Sequence, residues 1–352
     1  MELNMSFANT SVAPAPLVEQ CDRSDFDFTW VPPYIYTISA LGILFNLLVL
    51  LVFLLHKKNC TATEIYLSNM AAADILLMVF IPLWGVSAAK NSAWPFGDIL
   101  CKTCSVLVII NYDCSIYFLV LVSIDRFTAL VYPLTQCRLR RRKYAILTCM
   151  LVWIFGFLLS MPFVLYKKAV LANESTNGTE HICIWDGPTD VFFAHEIIQT
   201  VLVFIIPLLI ISFCTVKIVI ALKGRPLQKD STQQSERKAT ILVLTVLLAF
   251  FVCWFPFNVT RIVALMVRYE VIKLTCTFEK NLIICRSFFL YLGYFNSDLN
   301  PVLYVIVGKN FRKKMWEVVS EHSSMSWSIT QSTTNTSHLS TQRVKVNTKA
   351  LQ

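Results

Sequence analysis

Charged residues are what this chain has least of. Asp, Glu, Lys and Arg make up 15% of its 352 residues, against about 25% in soluble domains, so a water-facing surface cannot be built over a core this apolar. Nine Gly and thirteen Pro are too few for a collagen-like or Gly/Ser-linker chain. Twenty-five Phe and eight Trp exclude a chain kept disordered for want of apolar residues. Enzyme signatures are missing too. No GxSxG, HExxH or GxGD occurs, which argues against a hydrolase or an intramembrane protease, and no Cys/His cluster has the spacing of a zinc site. No internal repeat of the kind that builds many transporters is visible. The net charge is +9, but no soluble basic domain carries it, so it reads as membrane topology and not as a nucleic-acid partner.

What the chain does have is apolar length. A helix needs about 20 residues to cross the roughly 30 Å hydrocarbon core, and seven such stretches centre near Leu47, Leu77, Ile116, Ile154, Ile205, Leu247 and Tyr294. Runs such as Ile205 to Ile211 do not alternate, which excludes a β-barrel. The expected fold is all-α: a seven-transmembrane helix bundle over residues 33–307, with a short amphipathic eighth helix over 308–319. Residues 1–32 are acidic, with Glu2, Glu19, Asp22, Asp25 and Asp27 against Arg23, and lack the apolar core of a cleavable signal; the first helix is expected to direct insertion. Basic clusters at Lys57 and Lys58, at Arg138 to Lys143 and at Lys309 to Lys314 mark the cytoplasmic side. The N-terminus then lies outside, with sequons at Asn4, Asn9, Asn173 and Asn177. Sequons at Asn59 and Asn258 fall on the cytoplasmic side and inside a helix, where no glycan is expected. In the eighth helix Phe311, Met315 and Val318 are expected toward lipid and Arg312, Lys313 and Lys314 toward headgroups. The Ser/Thr-rich residues 320–352 are expected to be disordered, and no Cys follows Cys285 to carry a palmitoyl anchor.

Polar groups inside a bilayer are costly and so are candidates for function. Asn46, Asp74, Asn111, Ser115, Asn296, Ser297 and Asn300 bring one carboxylate among amides and hydroxyls, an environment for either a cation or a neutral, hydrogen-bonded Asp74. Asp113 and Asp298 add two more buried acids, expected to be protonated and hydrogen-bonded; Asp113 is also a candidate for the ligand cavity. Asp125-Arg126-Phe127 ends the third helix, while Pro256 and Pro301 interrupt the sixth and seventh and can act as hinges. Four Cys lie where oxidation is plausible. Cys101 with Cys183 would pin the loop between helices four and five over the bundle, and Cys21 with Cys276 would tie down the N-terminus.

The order and spacing of Gly42 to Asn46, Leu67 to Asp74, Cys101, Asp125-Arg126-Phe127, Trp153, Pro207, Trp254 to Pro256 and Asn300 to Tyr304 resemble the rhodopsin-like G-protein-coupled receptors across all seven helices. Cys60 to Asn69 with Ala71 to Asp74, Glu236 to Thr240, and Tyr304 to Lys309 with Phe311 to Lys314 are similar to the kinin (bradykinin) receptors, the constitutive subtype in particular. The resemblance implies a plasma-membrane receptor for a short peptide, coupled through a heterotrimeric G protein to phospholipase C and calcium. Receptor kinases and arrestin would act at the tail, and membrane lipids would bed the eighth helix. It implies no cofactor beyond an allosteric sodium ion at Asp74, Asn111, Ser115, Asn296, Ser297 and Asn300. It also implies a toggle at Trp254, a lock at Asp125 and Arg126, and an inward-swinging Tyr304. Phe127 and Thr215 depart from the family's usual Tyr. Kinins are cationic peptides with Arg at their ends, and the acids the family places on helices six and seven to meet them are Ala264 and Ile283 here. Arg261 and Arg286 stand nearby instead; the expected compensation is Glu180, Asp186, Asp190 and Glu196 in the second outer loop, or Glu270 and Glu279, with Trp84, Trp94, Phe96, Phe257 and Tyr291 as pocket walls. A receptor for an angiotensin-, apelin- or chemokine-like peptide is the alternative reading, and a membrane transporter a more distant one.

Overall fold

The structure, a computed structural model, describes residues 29–56, 60–132, 142–171, 180–223, 231–272, 275–307 and 311–320. Asn4, Asn9, Cys21, Asn59, Asn173, Asn177 and the tail beyond residue 320 lie outside them, as does the side chain of Cys276. The five sequons named there and the Cys21–Cys276 pairing therefore lie outside the described residues.

Among the described residues, seven long helices run through the chain. They are α1 (Val31–Leu55), α2 (Ala62–Ala89), α3 (Gly97–Val131), α4 (Arg142–Tyr166), α5, α6 (Ser231–Arg268) and α7 (Cys276–Val307). α5 is a continuous rod built of Thr189–Gln199, a π-helical turn Thr200–Ile205 and Ile206–Lys223. Local sequence explains the ends. α1 opens on Pro32 and Pro33, where a missing N–H costs nothing. α2 opens on a capping box, Thr61 receiving the Glu64 N–H while the Glu64 carboxylate receives that of Thr61. The π turn sits just before Pro207, which has no N–H to give the preceding turn, and Tyr117 Oη donates to the carbonyl of Leu202 there at 2.7 Å.

Six of these helices are long and apolar enough to cross a membrane. α7 carries Arg286, Asn296, Asp298 and Asn300 within its apolar run, so composition alone undercounts it. The burial pattern is that of a protein in lipid. Leu44, Leu54, Leu151, Leu158, Leu209 and Leu248 are exposed, whereas Asn46, Asp74, Asn111, Asn296 and Asn300 are buried. α3 is the central post, touching α2, α4, α5 and α6, while α1 packs on α2 and α7.

One end of the bundle is covered by a hairpin, β1 (Lys167–Leu171) pairing antiparallel with β2 (His181–Trp185). The Cys101–Cys183 disulfide ties β2 to the start of α3. Ala169 N donates to Asp98 Oδ1 at 3.1 Å, and the Lys168 ammonium meets Asp186 at 2.9 Å, which raises the lysine pKa by stabilising its charged form. Cys104, a turn beyond Cys101, stays a buried free thiol.

The other end carries a short helix over 311–320, α8. Its orientation differs from the sequence expectation. Phe311 is buried against Phe53 and Tyr304, and Met315 packs on the same cluster. Arg312 caps α7 by donating to the Val305 and Ile306 carbonyls, and Lys314 meets Glu64 at 2.7 Å. The ends of α1, α2 and α7 offer this helix a protein surface with both apolar and acidic partners, so only part of its amphipathic character is left for the membrane.

Candidate functional site

Beneath the hairpin, α2, α3, α4, α6 and α7 frame a half-open cavity. Trp84, Val108, Ile109, Phe163, Phe257 and Leu290 make its walls largely apolar, and Ser105, Tyr112, Lys167 and Arg261 supply the polar groups; no carboxylate lines it. Trp254 lies at its base, tilted against Tyr112 with ring centroids 4.6 Å apart. Tyr112 Oη donates to Asn258 Oδ1 at 3.0 Å, and Asn258 Nδ2 donates to the Trp254 carbonyl at 2.9 Å. The Asn258 sequon is thus fully buried and bonded on both sides, with no room for a glycan. The indole of Trp254 rests on Gly293, where an added Cβ would come within 2.7 Å of its ring. An indole is stiff, so Gly293→Ala is expected to displace it and to destabilise the protein by about 1–3 kcal/mol. The check is the melting temperature of the solubilised protein, which should fall by several degrees; an unchanged value would show that the ring moves freely.

Behind the cavity wall, three charges meet. Glu196 is 2% exposed, and its Oε2 lies 3.1 Å from both Arg261 Nε and Arg286 Nη2. The Arg261 guanidinium also stacks over Phe257 and Tyr112, at 5.1 and 5.7 Å from the ring centroids.

Deeper in the bundle, Asp74 Oδ1 receives hydrogen bonds from Asn111 Nδ2 at 2.8 Å and Ser297 Oγ at 2.7 Å. Asn46 Nδ2 donates to the carbonyls of Gly42 and Ser297, holding α1 to α7. Several buried oxygens have no hydrogen-bond partner: Asp74 Oδ2, Ser115 Oγ, Asn296 Oδ1 and Asn300 Oδ1. A buried carboxylate oxygen and amide oxygens left without a donor are groups that a small cation could satisfy. Asp298 lies on the α1 side, where Gly42 leaves it room; both of its oxygens lack a hydrogen-bond partner. Among the described residues no cluster of three or more His, Cys, Asp or Glu is placed to hold a metal.

At the α8 end, Arg126 Nη2 donates to Asp125 Oδ2 at 2.7 Å and to Thr63 Oγ1, while Thr63 Oγ1 donates to Asp125 Oδ2 at 2.6 Å. This triad is buried and joins α3 to α2. Tyr304 stands nearby in the core with its hydroxyl lacking a hydrogen-bond partner.

The sequence profile described as 7 transmembrane receptor (rhodopsin family) matches residues 45–304, which is most of the bundle. The chain belongs to that family. The receptor is 38% identical over 289 residues to the B2 bradykinin receptor of Homo sapiens, covering 82% of this chain and 73% of that one. It is 40% identical over 291 residues to the B2 bradykinin receptor of Oryctolagus cuniculus, covering 81% and 78%. To the B1 bradykinin receptor of Chlorocebus pygerythrus it is 35% identical over 295 residues, covering 83% and 82%.

The structure brings some of the receptor's sequence-predicted ligand residues together and disperses others. Trp84, Phe257 and Arg261 line the cavity, and Arg286 stands behind it. Glu196 is not a loop acid as expected: it lies inside α5, buried, with one of its oxygens shared between Arg261 and Arg286. Asp113 is fully buried but does not line this cavity; Gln199 Nε2 of α5 donates to its Oδ2 at 3.1 Å. Trp94 packs under the disulfide against Trp84 and Phe96, and Tyr291 packs against Trp30 and Tyr34 of the α1 side. Sequence reasoning missed Tyr112, Lys167 and Gln199. Gln199 was findable as a lone amide in the apolar run of α5, where a polar side chain needs a partner.

Proposed function

We propose that this receptor sits in the plasma membrane with its N-terminus and hairpin outside and binds a short kinin-type peptide in the cavity above Trp254. Binding is transmitted to a heterotrimeric G protein that activates phospholipase C and raises cytosolic calcium. The observation that carries this reading is the line of buried contacts from cavity to core: Tyr112 against Trp254, Trp254 on Gly293, and Ser297 one turn below on Asp74. A peptide that presses Tyr112 or Trp254 toward α7 meets Gly293, where the indole is already in close contact with the backbone. The kinin class rests on the named relatives.

The Asp74 cluster is proposed to hold sodium, with Asp74 Oδ2, Ser115, Asn296 and Asn300 as the oxygens that would receive it. A bound cation supplies positive charge that favours the closely packed arrangement of α2, α3 and α7. Asn111 and Ser297 meanwhile orient the carboxylate by donating to its other oxygen. Replacing N-methylglucamine by sodium is expected to lower agonist affinity about five- to tenfold, and Asp74→Asn to remove that dependence; sodium sensitivity that survives in Asp74→Asn would place the ion elsewhere.

The first 32 residues are proposed to be an outer, glycosylated segment. The Ser/Thr-rich tail is proposed to be the cytoplasmic substrate of receptor kinases and the docking segment of arrestin, and the remaining lipid-facing side of α8 to bed on the inner leaflet. The direct test is calcium release in cells expressing the receptor, challenged with a panel of kinin peptides and a panel of anionic peptides. Kinin peptides are expected to act at nanomolar concentrations through a phospholipase C inhibitor-sensitive route. Response to the anionic panel alone would transfer the receptor to the angiotensin- or apelin-like class.

A further inference from the structure

We infer that Arg261 is the anchor for a ligand carboxylate, and that Arg286 positions it for that role by competing for Glu196. This rests on the cavity being the peptide site and names the chemistry of the end that enters it. Arg261 is 3% exposed and lines the cavity, yet its Nη1 has no hydrogen-bond partner. Its Nε lies 3.1 Å from Glu196 Oε2 without the alignment of a hydrogen bond. A buried donor left open in this way is costly in the absence of an acceptor. Among the described residues the one carboxylate paired with Arg261 is Glu196, and it is shared, because the same oxygen meets Arg286 Nη2; Asp113 stands further off and is bonded by Gln199. Arg261 therefore has only a share of the Glu196 oxygen, and its open Nη1 is available to an acceptor that enters the cavity.

The other polar groups of the lining point the same way. Lys167, the first residue of β1, adds an ammonium group, Tyr112 and Ser105 bring hydroxyls, and among the described lining residues there is no Asp or Glu to receive a guanidinium or an ammonium. The Arg261 guanidinium lies 5.1 and 5.7 Å from the ring centroids of Phe257 and Tyr112, so it is packed against two aromatic rings and not free in the cavity. A carboxylate entering this largely apolar chamber finds Arg261 and Lys167 in its lining, while a basic side chain finds no acid among the described lining residues. Such a carboxylate is either the free C-terminus of the peptide or an acidic side chain, and the test separates the two.

The experiment is displacement binding on membranes holding the full-length receptor, using one kinin peptide as free acid and as C-terminal amide. A third form is amidated but carries an Asp side chain in its last position. On the unaltered receptor the amide is expected to bind about 30- to 100-fold more weakly than the acid, the loss of one charge-assisted hydrogen-bond set. Recovery of affinity by the Asp-bearing amide would assign the carboxylate to a side chain; no recovery assigns it to the chain end. Arg261→Gln should weaken the acid and leave the amide unchanged, closing the gap. Arg286→Gln, which hands Glu196 wholly to Arg261, should narrow the gap while Arg286→Lys restores it, an outcome that mere loss of packing would not give. Receptor at the cell surface is counted with an N-terminal epitope tag, so that affinity is read apart from folding. Equal affinity of acid and amide on the unaltered receptor, or a gap that persists in Arg261→Gln, overturns the inference and leaves the kinin reading intact. If no kinin peptide binds in any form, the kinin reading falls instead, and the acid and amide comparison moves to whichever short peptide releases calcium, where equal potency again overturns the role of Arg261.

Discussion

Serine in place of Cys101 or Cys183 is expected to abolish measurable peptide binding and to cut the amount of receptor at the cell surface. The two residues are 82 positions apart in the chain, and in the chain-entropy view a link of that span removes about 4–5 kcal/mol of freedom from the unfolded state. What the bond holds matters as much as its entropy. It ties β2 to the head of α3, and the hairpin also receives the Trp94 N–H at the His181 carbonyl and presents the Ala169 N–H to Asp98. Trp94 in turn packs on Trp84, a wall of the cavity, with centroids 4.7 Å apart. Untying the hairpin therefore loosens a wall and the roof together, and it also frees Lys167, the first residue of β1 and part of the cavity lining. Saturation binding against a tag-based surface count would measure the loss. Both single substitutions should match the double one, because each already removes the same bond. A Cys183→Ser receptor with full affinity would mean that the strand pairing and the Asp98 contact hold the hairpin alone.

The features that were legible in the sequence are those for which the bilayer leaves little choice. Seven spans follow from length and apolarity, since a helix is the only spanning element that satisfies its own backbone. Asp74, Asn111, Ser297 and Arg126 stood out because a polar group in hydrocarbon needs a partner, and the structure provides partners for all four. What the sequence could not tell is how each helix is turned about its axis. In a water-soluble helix the polar face marks the outside, but here both faces are apolar, so Tyr291 and Trp94 looked as suitable for the cavity as Phe257 did. Composition also hid the start of α5. Asp186, Gly187, Pro188 and Asp190 read as loop, and Glu196 beyond them read as more of the same, although it lies two turns inside the helix. The inward face of α8 was misjudged for a related reason: amphipathicity shows that a surface wants cover, not whether lipid or protein supplies it.

Alanine at Asp125 is expected to raise agonist-free signalling several-fold. In the structure Asp125 Oδ2 receives bonds from both Arg126 and Thr63, so one carboxylate holds the guanidinium against α2. All three side chains are buried, at 6–8% exposure, and breaking one member of a buried ion pair costs about 3–5 kcal/mol in the state that contains it. Part of that cost is recovered as water and neighbouring groups rearrange around Arg126, but a remainder of about 1.4 kcal/mol already multiplies the competing population tenfold. On the proposed function, the competing state is one in which Arg126 has left this triad and its guanidinium is offered to the G protein at the α8 end. Thr63→Val should act in the same direction and more weakly, since it deletes a neutral hydroxyl worth about 1 kcal/mol to the triad and leaves the charge pair in place. Arg126→Ala should instead abolish signalling, with peptide binding retained at the far end of the bundle. Basal and agonist-driven inositol phosphate release, normalised to surface receptor, distinguishes the three. The ordering Asp125→Ala above Thr63→Val above the unaltered receptor follows only if this triad opposes activation; equal basal release in all three would assign the restraint to the contacts of α6 and α7.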